Sequence, residues 1–135
     1  MNIMISGGGT GGHIYPALTI YRTLETMVDG NFLYVGTEKG LESRIVPKEG
    51  IPFTTLPVQG LQRKLSLDTL VTAGKTVSSL WKANQLISDY KPDIVIGTGG
   101  YVCGPLLLAA ALRGIPTLIQ EQNVVPGITN KILSR

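Results

Sequence analysis

The chain has 135 residues, of which 43% are hydrophobic and 16% are charged, and its formal net charge is +3. This composition is typical of a globular domain that buries a core without disulfides or metal, and it excludes a disordered chain. A single cysteine, Cys103, excludes an internal disulfide framework and is compatible with a reducing compartment. The cations are scattered without a basic stripe, so we expect no nucleic acid partner.

Membrane-spanning segments are not predicted. The longest apolar block, Leu106 to Leu112, is far shorter than the roughly 20 residues that cross a bilayer. Residues Met1 to Ile5 run directly into glycines without the features of a signal peptide. We therefore expect a cytoplasmic protein, either soluble or peripheral on a membrane.

Five short apolar runs are predicted as buried strands, because they are nearly continuous in apolar residues rather than alternating. They are Ile3 to Ile5, Phe32 to Val35, Phe53 to Leu56, Ile94 to Ile96 and Thr117 to Ile119. Helical patterns lie between them. The first is a helix that begins near Pro16, with Pro16 in its first turn, and the others are Leu41 to Glu49, Leu67 to about Tyr90 after an N-cap at Ser66, and Pro105 to Arg113 before Gly114.

The alternation of strands and helices predicts an α/β fold with a doubly wound, Rossmann-like parallel sheet. Right-handed crossovers favour the strand order 3-2-1-4-5, which makes strands 1 and 4 neighbours. Ligands of such sheets bind at the carboxyl ends of strands where the following helices diverge. The two richest glycine loops follow strands 1 and 4, which predicts a binding crevice there.

The first loop, Ser6 to His13, has five glycines within six residues. Glycines let the backbone approach a ligand closely, and the start of a helix favours anions, so the loop predicts phosphate binding rather than a merely tight turn. The spacing Gly7-x-Gly9-x-x-Gly12 also fits a dinucleotide-binding domain, although the expected acid, Glu38, falls late. His13-Ile14 excludes a Walker A loop.

The second loop, Gly97 to Pro105, is also rich in glycine and follows the neighbouring strand. Two such loops suit a diphosphate or a large glycosylated ligand. Tyr101 could stack on a sugar or could be a half-buried loop aromatic. The third loop, Gln120 to Gly127, carries amide and carboxylate groups that suit sugar hydroxyls, or that could cap the next helix.

His13 is the only histidine, and its place at the start of a helix predicts a general base or a ligand-positioning residue. Cys103 is a poor candidate for a nucleophile and a better one for a small loop filler. The third helix carries Leu70, Leu80 and Trp81 beside Lys75, which fits either packing on the sheet or docking on anionic lipid.

Three segments together resemble the MurG family, the bacterial N-acetylglucosaminyltransferases of glycosyltransferase family 28. They are Gly7-Gly8-Gly9-Thr10-Gly11-Gly12-His13-Ile14-Tyr15-Pro16-Ala17, then Gly97-Thr98-Gly99-Gly100-Tyr101-Val102-Cys103-Gly104-Pro105, and finally Glu121-Gln122-Asn123 with Pro126-Gly127. The resemblance covers the whole chain and includes Val35 to Glu42. Cys103 stands where some members of the family carry serine.

The resemblance implies a two-domain GT-B enzyme in which residues 1–135 form most of the N-terminal, acceptor-side domain. The donor-binding C-terminal domain would lie outside this chain, and the chain alone would be inactive. The implied reaction transfers N-acetylglucosamine from UDP-N-acetylglucosamine to the C4 hydroxyl of the N-acetylmuramic acid of lipid I, with inversion, and gives lipid II for the peptidoglycan. Neither a metal nor another cofactor is implied.

Site residues follow from the same resemblance. Thr10, Gly11, Gly12 and Asn123 would touch the donor, and His13 would act as base or positioning residue with Tyr101 and Gln122 nearby. Glu121 would also bind substrate. Gly9, Gly99 and Gly100 would hold the lipid diphosphate. The patch of Leu70, Lys75, Leu80 and Trp81 would dock on the inner face of the cell membrane.

Alternatives from other classes are a dinucleotide-binding oxidoreductase domain and a nonenzymatic regulator built on half of a GT-B fold. A related enzyme that acts on another polyprenyl or nucleotide sugar is a closer competitor.

Overall fold

A computed structural model describes residues 1–9, 11–56, 67–100 and 102–120, with the side chains of the third helix described from Ser78 onward. Strands and helices alternate along these residues. The strands are β1 Asn2–Ser6, β2 Asn31–Gly36, β3 Phe53–Thr55, β4 Ile94–Gly97 and β5 Thr117–Ile119, and the helices are α1 Gly11–Met27, α2 Glu42–Lys48, α3 Leu67–Tyr90 and α4 Cys103–Leu112.

The strands form one parallel sheet in the order β3-β2-β1-β4-β5. The predicted order is therefore confirmed. Ser6, at the end of the central strand β1, pairs with Val35 of β2 and with Gly97 of β4. The segments that follow these strands consequently begin at the same edge of the sheet.

Both faces of the sheet are covered, which explains why the strands are continuously apolar. Ile3 and Ile5 pack on one face in a cluster with residues of α1 and α2. Met4 points to the other face and joins a cluster with residues of α3 and α4. Helix α1 after β1 and helix α4 after β4 thus lie on opposite faces, so the topological switch point lies between these two strands.

Helix α1 begins five residues earlier than predicted, at Gly11, so that Pro16 lies inside it rather than in its first turn. The sequence predicts that all five glycines lie in one loop, but Gly11 and Gly12 belong to the helix. A tertiary contact anchors this early turn, because the hydroxyl of Thr98 donates to the carbonyl of His13. Helix α4 also begins early, at Cys103. The possible cap at Ser66 lies outside the described residues.

Candidate functional site

Two short turns at the carboxyl edge of the sheet lie side by side. The first turn, Gly7 to Gly9, follows β1, and the second turn, Thr98 to Gly100, follows β4. The amide of Gly8 donates to the carbonyl of Gly99 at 3.2 Å, and the amide of Thr98 donates to the carbonyl of Ser6 at 2.9 Å. The glycine-rich segments therefore meet at the switch point, as the strand order predicts.

Close contact between the turns explains why the second turn needs glycine. Gly99 and Gly100 have φ angles of +123° and +95°, which side chains of L-residues rarely permit. A β-carbon on Gly99 would lie 2.6 Å from Cδ2 of His13. The space at this position is thus taken by the imidazole ring.

His13 lies in the first turn of α1, half-buried between the two turns. Its Nδ1 atom lies 3.0 Å from the carbonyl oxygen of Gly8. Because a carbonyl only accepts, Nδ1 carries the proton in this contact, and a neutral ring then has its lone pair on Nε2. Nε2 lies on the side of the second turn, 2.9 Å from where a β-carbon on Gly99 would be. The ring is therefore oriented by one turn and packed on the other.

Glu42, the first residue of α2, contacts the first turn, and sequence reasoning missed this contact. The residue is fully buried, with 0% of its surface exposed. Its carboxylate accepts hydrogen bonds from the amide of Gly9 at 3.1 Å, and from both the amide and the hydroxyl of Thr37 at 2.8 Å each. No sequence motif singles out Glu42, because its partners lie in separate segments of the chain.

Cys103 links the start of α4 to both turns. Its sulfur is completely buried and lies 3.3 Å from the carbonyl oxygen of Ser6 and 3.1 Å from that of Gly99. Burial raises the pKa of the Cys103 thiol, so the thiolate needed for nucleophilic attack is disfavoured. These contacts favour the interpretation of Cys103 as a loop filler.

The dinucleotide alternative is not supported. In dinucleotide-binding domains the amides of the glycine turn face the pyrophosphate, and an acid after strand 2 holds the ribose. Here the amides of Gly8 and Gly9 donate to Gly99 and to Glu42 instead. Glu38, the candidate ribose-binding acid, is exposed to solvent.

Of the predicted site residues, Gly9, Gly11, Gly12, His13, Gly99 and Gly100 lie together at this edge of the sheet. The others, Thr10, Tyr101, Glu121, Gln122 and Asn123, lie outside the described residues and stay predictions. Within the described part of the chain no cluster of histidine, cysteine, aspartate and glutamate side chains could hold a metal ion.

The predicted membrane patch is described only in its second half. On α3, Trp81 is 63% exposed, and Leu80 is half-buried. Leu70 and Lys75 belong to the same helix, but their side chains lie outside the described part. None of the described helices combines the length and the hydropathy that a transmembrane span requires.

Together, the doubly wound sheet and the joined turns define a Rossmann-like domain, and ligands of this fold bind at the carboxyl edge of the sheet where these turns lie. Residues 3–135 match the N-terminal domain of glycosyltransferase family 28. The chain belongs to this family, as the motifs predicted.

Curated relatives are similar over the whole chain. A protein of Thermoanaerobacter sp. (strain X514) named UDP-N-acetylglucosamine--N-acetylmuramyl-(pentapeptide) pyrophosphoryl-undecaprenol N-acetylglucosamine transferase is 57% identical over 136 residues, and a protein of Desulfitobacterium hafniense (strain Y51) with the same name is 56% identical. Each alignment covers 100% of this chain and 37% of the relative, so the chain spans little more than a third of the relatives' length.

A solved structure, that of Acinetobacter baumannii MurG, superposes with a TM-score of 0.82 at 37% sequence identity, covering 99% of this chain and 38% of that one. The predicted fold class, the Rossmann-like N-terminal fold of these glycosyltransferases, is confirmed by this match.

Proposed function

We propose that residues 1–135 form the acceptor-side domain of a two-domain enzyme that transfers N-acetylglucosamine from UDP-N-acetylglucosamine to lipid I and gives lipid II. The names of relatives up to 57% identical over the whole chain support this substrate pair. The reaction uses the C4 hydroxyl of the N-acetylmuramic acid as nucleophile and inverts the donor's anomeric carbon as UDP leaves. No cofactor takes part in this proposal.

The orientation of His13 is the observation that carries the proposal. With Nδ1 bound to the carbonyl of Gly8, the neutral ring has its basic Nε2 on the side of the second turn, at the switch point where ligands of this fold bind. In the proposed step Nε2 accepts the proton of the attacking hydroxyl while its oxygen bonds to the anomeric carbon. The bond from that carbon to the UDP oxygen breaks at the same time.

Both substrates are assigned to the same edge of the sheet. Thr10, Gly11, Gly12 and Asn123 would contact the donor held by the second domain. Gly99 and Gly100 would face the diphosphate of the acceptor, together with Gly9, whose amide is bound to Glu42 and which would contribute close backbone approach rather than a hydrogen bond. Tyr101, Glu121 and Gln122 would face its sugar. The start of helix α1 adds the positive end of a helix dipole, which favours phosphate groups.

Helix α3 supplies the proposed membrane contact. Trp81 exposes 63% of its surface beside Lys82, which is also exposed. An indole that inserts at the interface, next to a cation that attracts anionic lipid, would hold the enzyme where its lipid substrate lies. We include Leu70, Lys75 and Leu80 in this surface and propose that the protein is peripheral on the inner face of the cell membrane, without a nucleic acid partner.

The test uses the complete gene product with UDP-N-acetylglucosamine and a short-chain lipid I analogue. We expect a product heavier by one N-acetylglucosamine residue in mass spectrometry, and none from the 135-residue chain alone. Transfer only to a different polyprenyl acceptor, or from a different nucleotide sugar, would favour a related enzyme. Tight NAD binding without any transfer would favour the oxidoreductase.

A further inference from the structure

The carboxylate of Glu42 is buried without a cation. No ion pair involves Glu42 among the described residues, and none of its surface is exposed. A buried charge is costly unless hydrogen bonds stabilise it, and those of Glu42 come from Thr37 and from the amide of Gly9 in the first turn. The carboxylate therefore joins the loop after β2 to the turn after β1.

Space around this carboxylate is kept by glycines from three segments. A β-carbon on Gly8, Gly36 or Gly40 would lie between 2.3 and 2.6 Å from the nearest atom of the Glu42 side chain. A real β-carbon essentially never comes this close to a nonbonded neighbour. Each of these positions therefore excludes a larger residue while Glu42 stays in place. The fold thus builds a fitted cavity for one carboxylate directly behind the first turn.

The same turn orients His13. Oε2 of Glu42 binds the amide of Gly9, and the preceding residue, Gly8, offers the carbonyl that binds Nδ1 of the imidazole. The backbone of His13 has a separate anchor, since its carbonyl accepts from the hydroxyl of Thr98. A change at Glu42 would consequently shift the carbonyl that fixes the ring, while the start of α1 stays bound to Thr98 in the second turn.

We infer that Glu42 is a positioning residue that sets the orientation and the tautomer of His13 through the first turn. This inference rests on the proposed function of His13 as the base. Glu42 touches neither substrate in this arrangement, and its effect reaches the reaction only through the carbonyl of Gly8.

The experiment compares Glu42→Gln with Glu38→Gln in the complete gene product. The side-chain amide of glutamine has only one oxygen acceptor, so its NH₂ group faces either the amide of Gly9 or the donors of Thr37. Two donors that face each other repel, and this displaces the first turn. Glu38 is an exposed acid four residues away and serves as the matched control. We expect Glu42→Gln to lower kcat about 100-fold with little change in the KM of the donor, because misplacing a base by about 1 Å has such an effect. Glu38→Gln is expected to leave both unchanged.

A second readout does not depend on turnover. Carbethoxylation of His13 by diethylpyrocarbonate, followed on its peptide by mass spectrometry, reports how the ring is held. We expect faster modification in Glu42→Gln than in wild type and no change in Glu38→Gln. Equal modification rates in the two variants, or a loss confined to KM, would overturn the inference. If wild type itself transfers no sugar, the proposed function fails, and the modification rates still decide whether Glu42 holds His13.

Thr37→Val covers the case in which Glu42→Gln does not fold. This variant removes the hydroxyl that donates to Glu42 at 2.8 Å, but it keeps the backbone amide at position 37 and the carboxylate of Glu42. A smaller fall in kcat, again without a change in KM, is the expected result. Wild-type kcat and wild-type modification of His13 in a folded Thr37→Val protein would contradict the inference.

Discussion

A β-carbon on Gly100 would lie 2.4 Å from the carbonyl oxygen of Gly8, so the backbones of the two turns touch with nothing between them. Residue 100 also has a φ of +95°. Both the conformation and the contact exclude a side chain at this position. The junction of the turns is therefore as sensitive to substitution as a packed core.

Gly100→Ala is expected to destabilise the protein by about 3 kcal/mol, since it combines a strained φ with a clash against backbone. Gly114→Ala is the matched control, because Gly114 has a φ of +74° but nothing within 4 Å of a β-carbon. Conformational strain alone predicts a loss of about 1 kcal/mol there. Urea unfolding of both variants measures the difference, and equal losses would show that the turns are not in contact.

His13→Asn separates the orientation of the ring from its proposed chemistry. The amide nitrogen of asparagine can replace Nδ1 as the donor to the Gly8 carbonyl, but asparagine has no basic nitrogen in the place of Nε2. We expect wild-type stability with turnover lower by about 10²- to 10⁴-fold. His13→Ala should lose turnover similarly. Transfer assays of the complete gene product measure the effect, and unchanged turnover in His13→Asn would remove the base assignment.

The burial of the Cys103 thiol leads us to expect that the folded protein loses stability at alkaline pH. Burial raises the pKa of its thiol above the ordinary 9.0 in the folded protein. Above pH 9 the unfolded chain therefore releases a proton that the folded chain keeps, so the free energy of unfolding falls as pH rises, by up to about 1.4 kcal/mol per pH unit. Below pH 9 this contribution is fully present.

Cys103→Ser isolates the thiol in this experiment. Serine retains a hydroxyl that can donate to the carbonyl of Ser6 or of Gly99, and it does not titrate in this range. We expect a flatter dependence of unfolding free energy on pH between 9 and 10 in the variant, measured by urea unfolding at each pH. Tyr34, whose pKa burial also raises, should still lower the stability of both proteins at higher pH. Parallel curves from pH 9 to 10 would contradict the assignment.

Trp81→Glu tests the proposed membrane surface. The substitution removes an exposed indole and adds a negative charge, so we expect binding to anionic vesicles at low salt to fall at least tenfold. Met27→Glu is the control, since Met27 is 73% exposed at the end of α1, away from α3. Cosedimentation with vesicles measures both variants. Equal binding of the two variants to the vesicles would contradict the proposed membrane surface.

The strands could be predicted from sequence because they depend on local pattern, and their order could be predicted because it follows a general rule of crossover handedness. Continuous apolar runs identified β1 and β4, and the handedness of the crossovers then placed them side by side. The start of α1 was wrong by five residues, because the contact from Thr98 that anchors its first turn comes from 85 residues away. A helix prediction that weighs glycine as a breaker has no access to such a contact.

Only the part of the candidate site that local sequence pattern reveals could be predicted. His13 and the glycine turns stand out by composition, whereas Glu42 looks like an ordinary acid in the first turn of a short helix. Its role depends on Gly9, which lies 33 residues away in sequence. Buried polar partners of this kind become visible only when the sheet brings separate segments together.

The bond from the Thr98 hydroxyl to His13, with that from Gly8 to Gly99, has a consequence for ligand entry. Segments cross-linked in this way are already ordered before a ligand arrives, so association does not have to freeze them. In the proposed function a substrate would then meet turns whose ordering entropy has already been lost during folding. Discrimination between acceptors would consequently depend on how well the substrate fits these turns and not on how far they adapt.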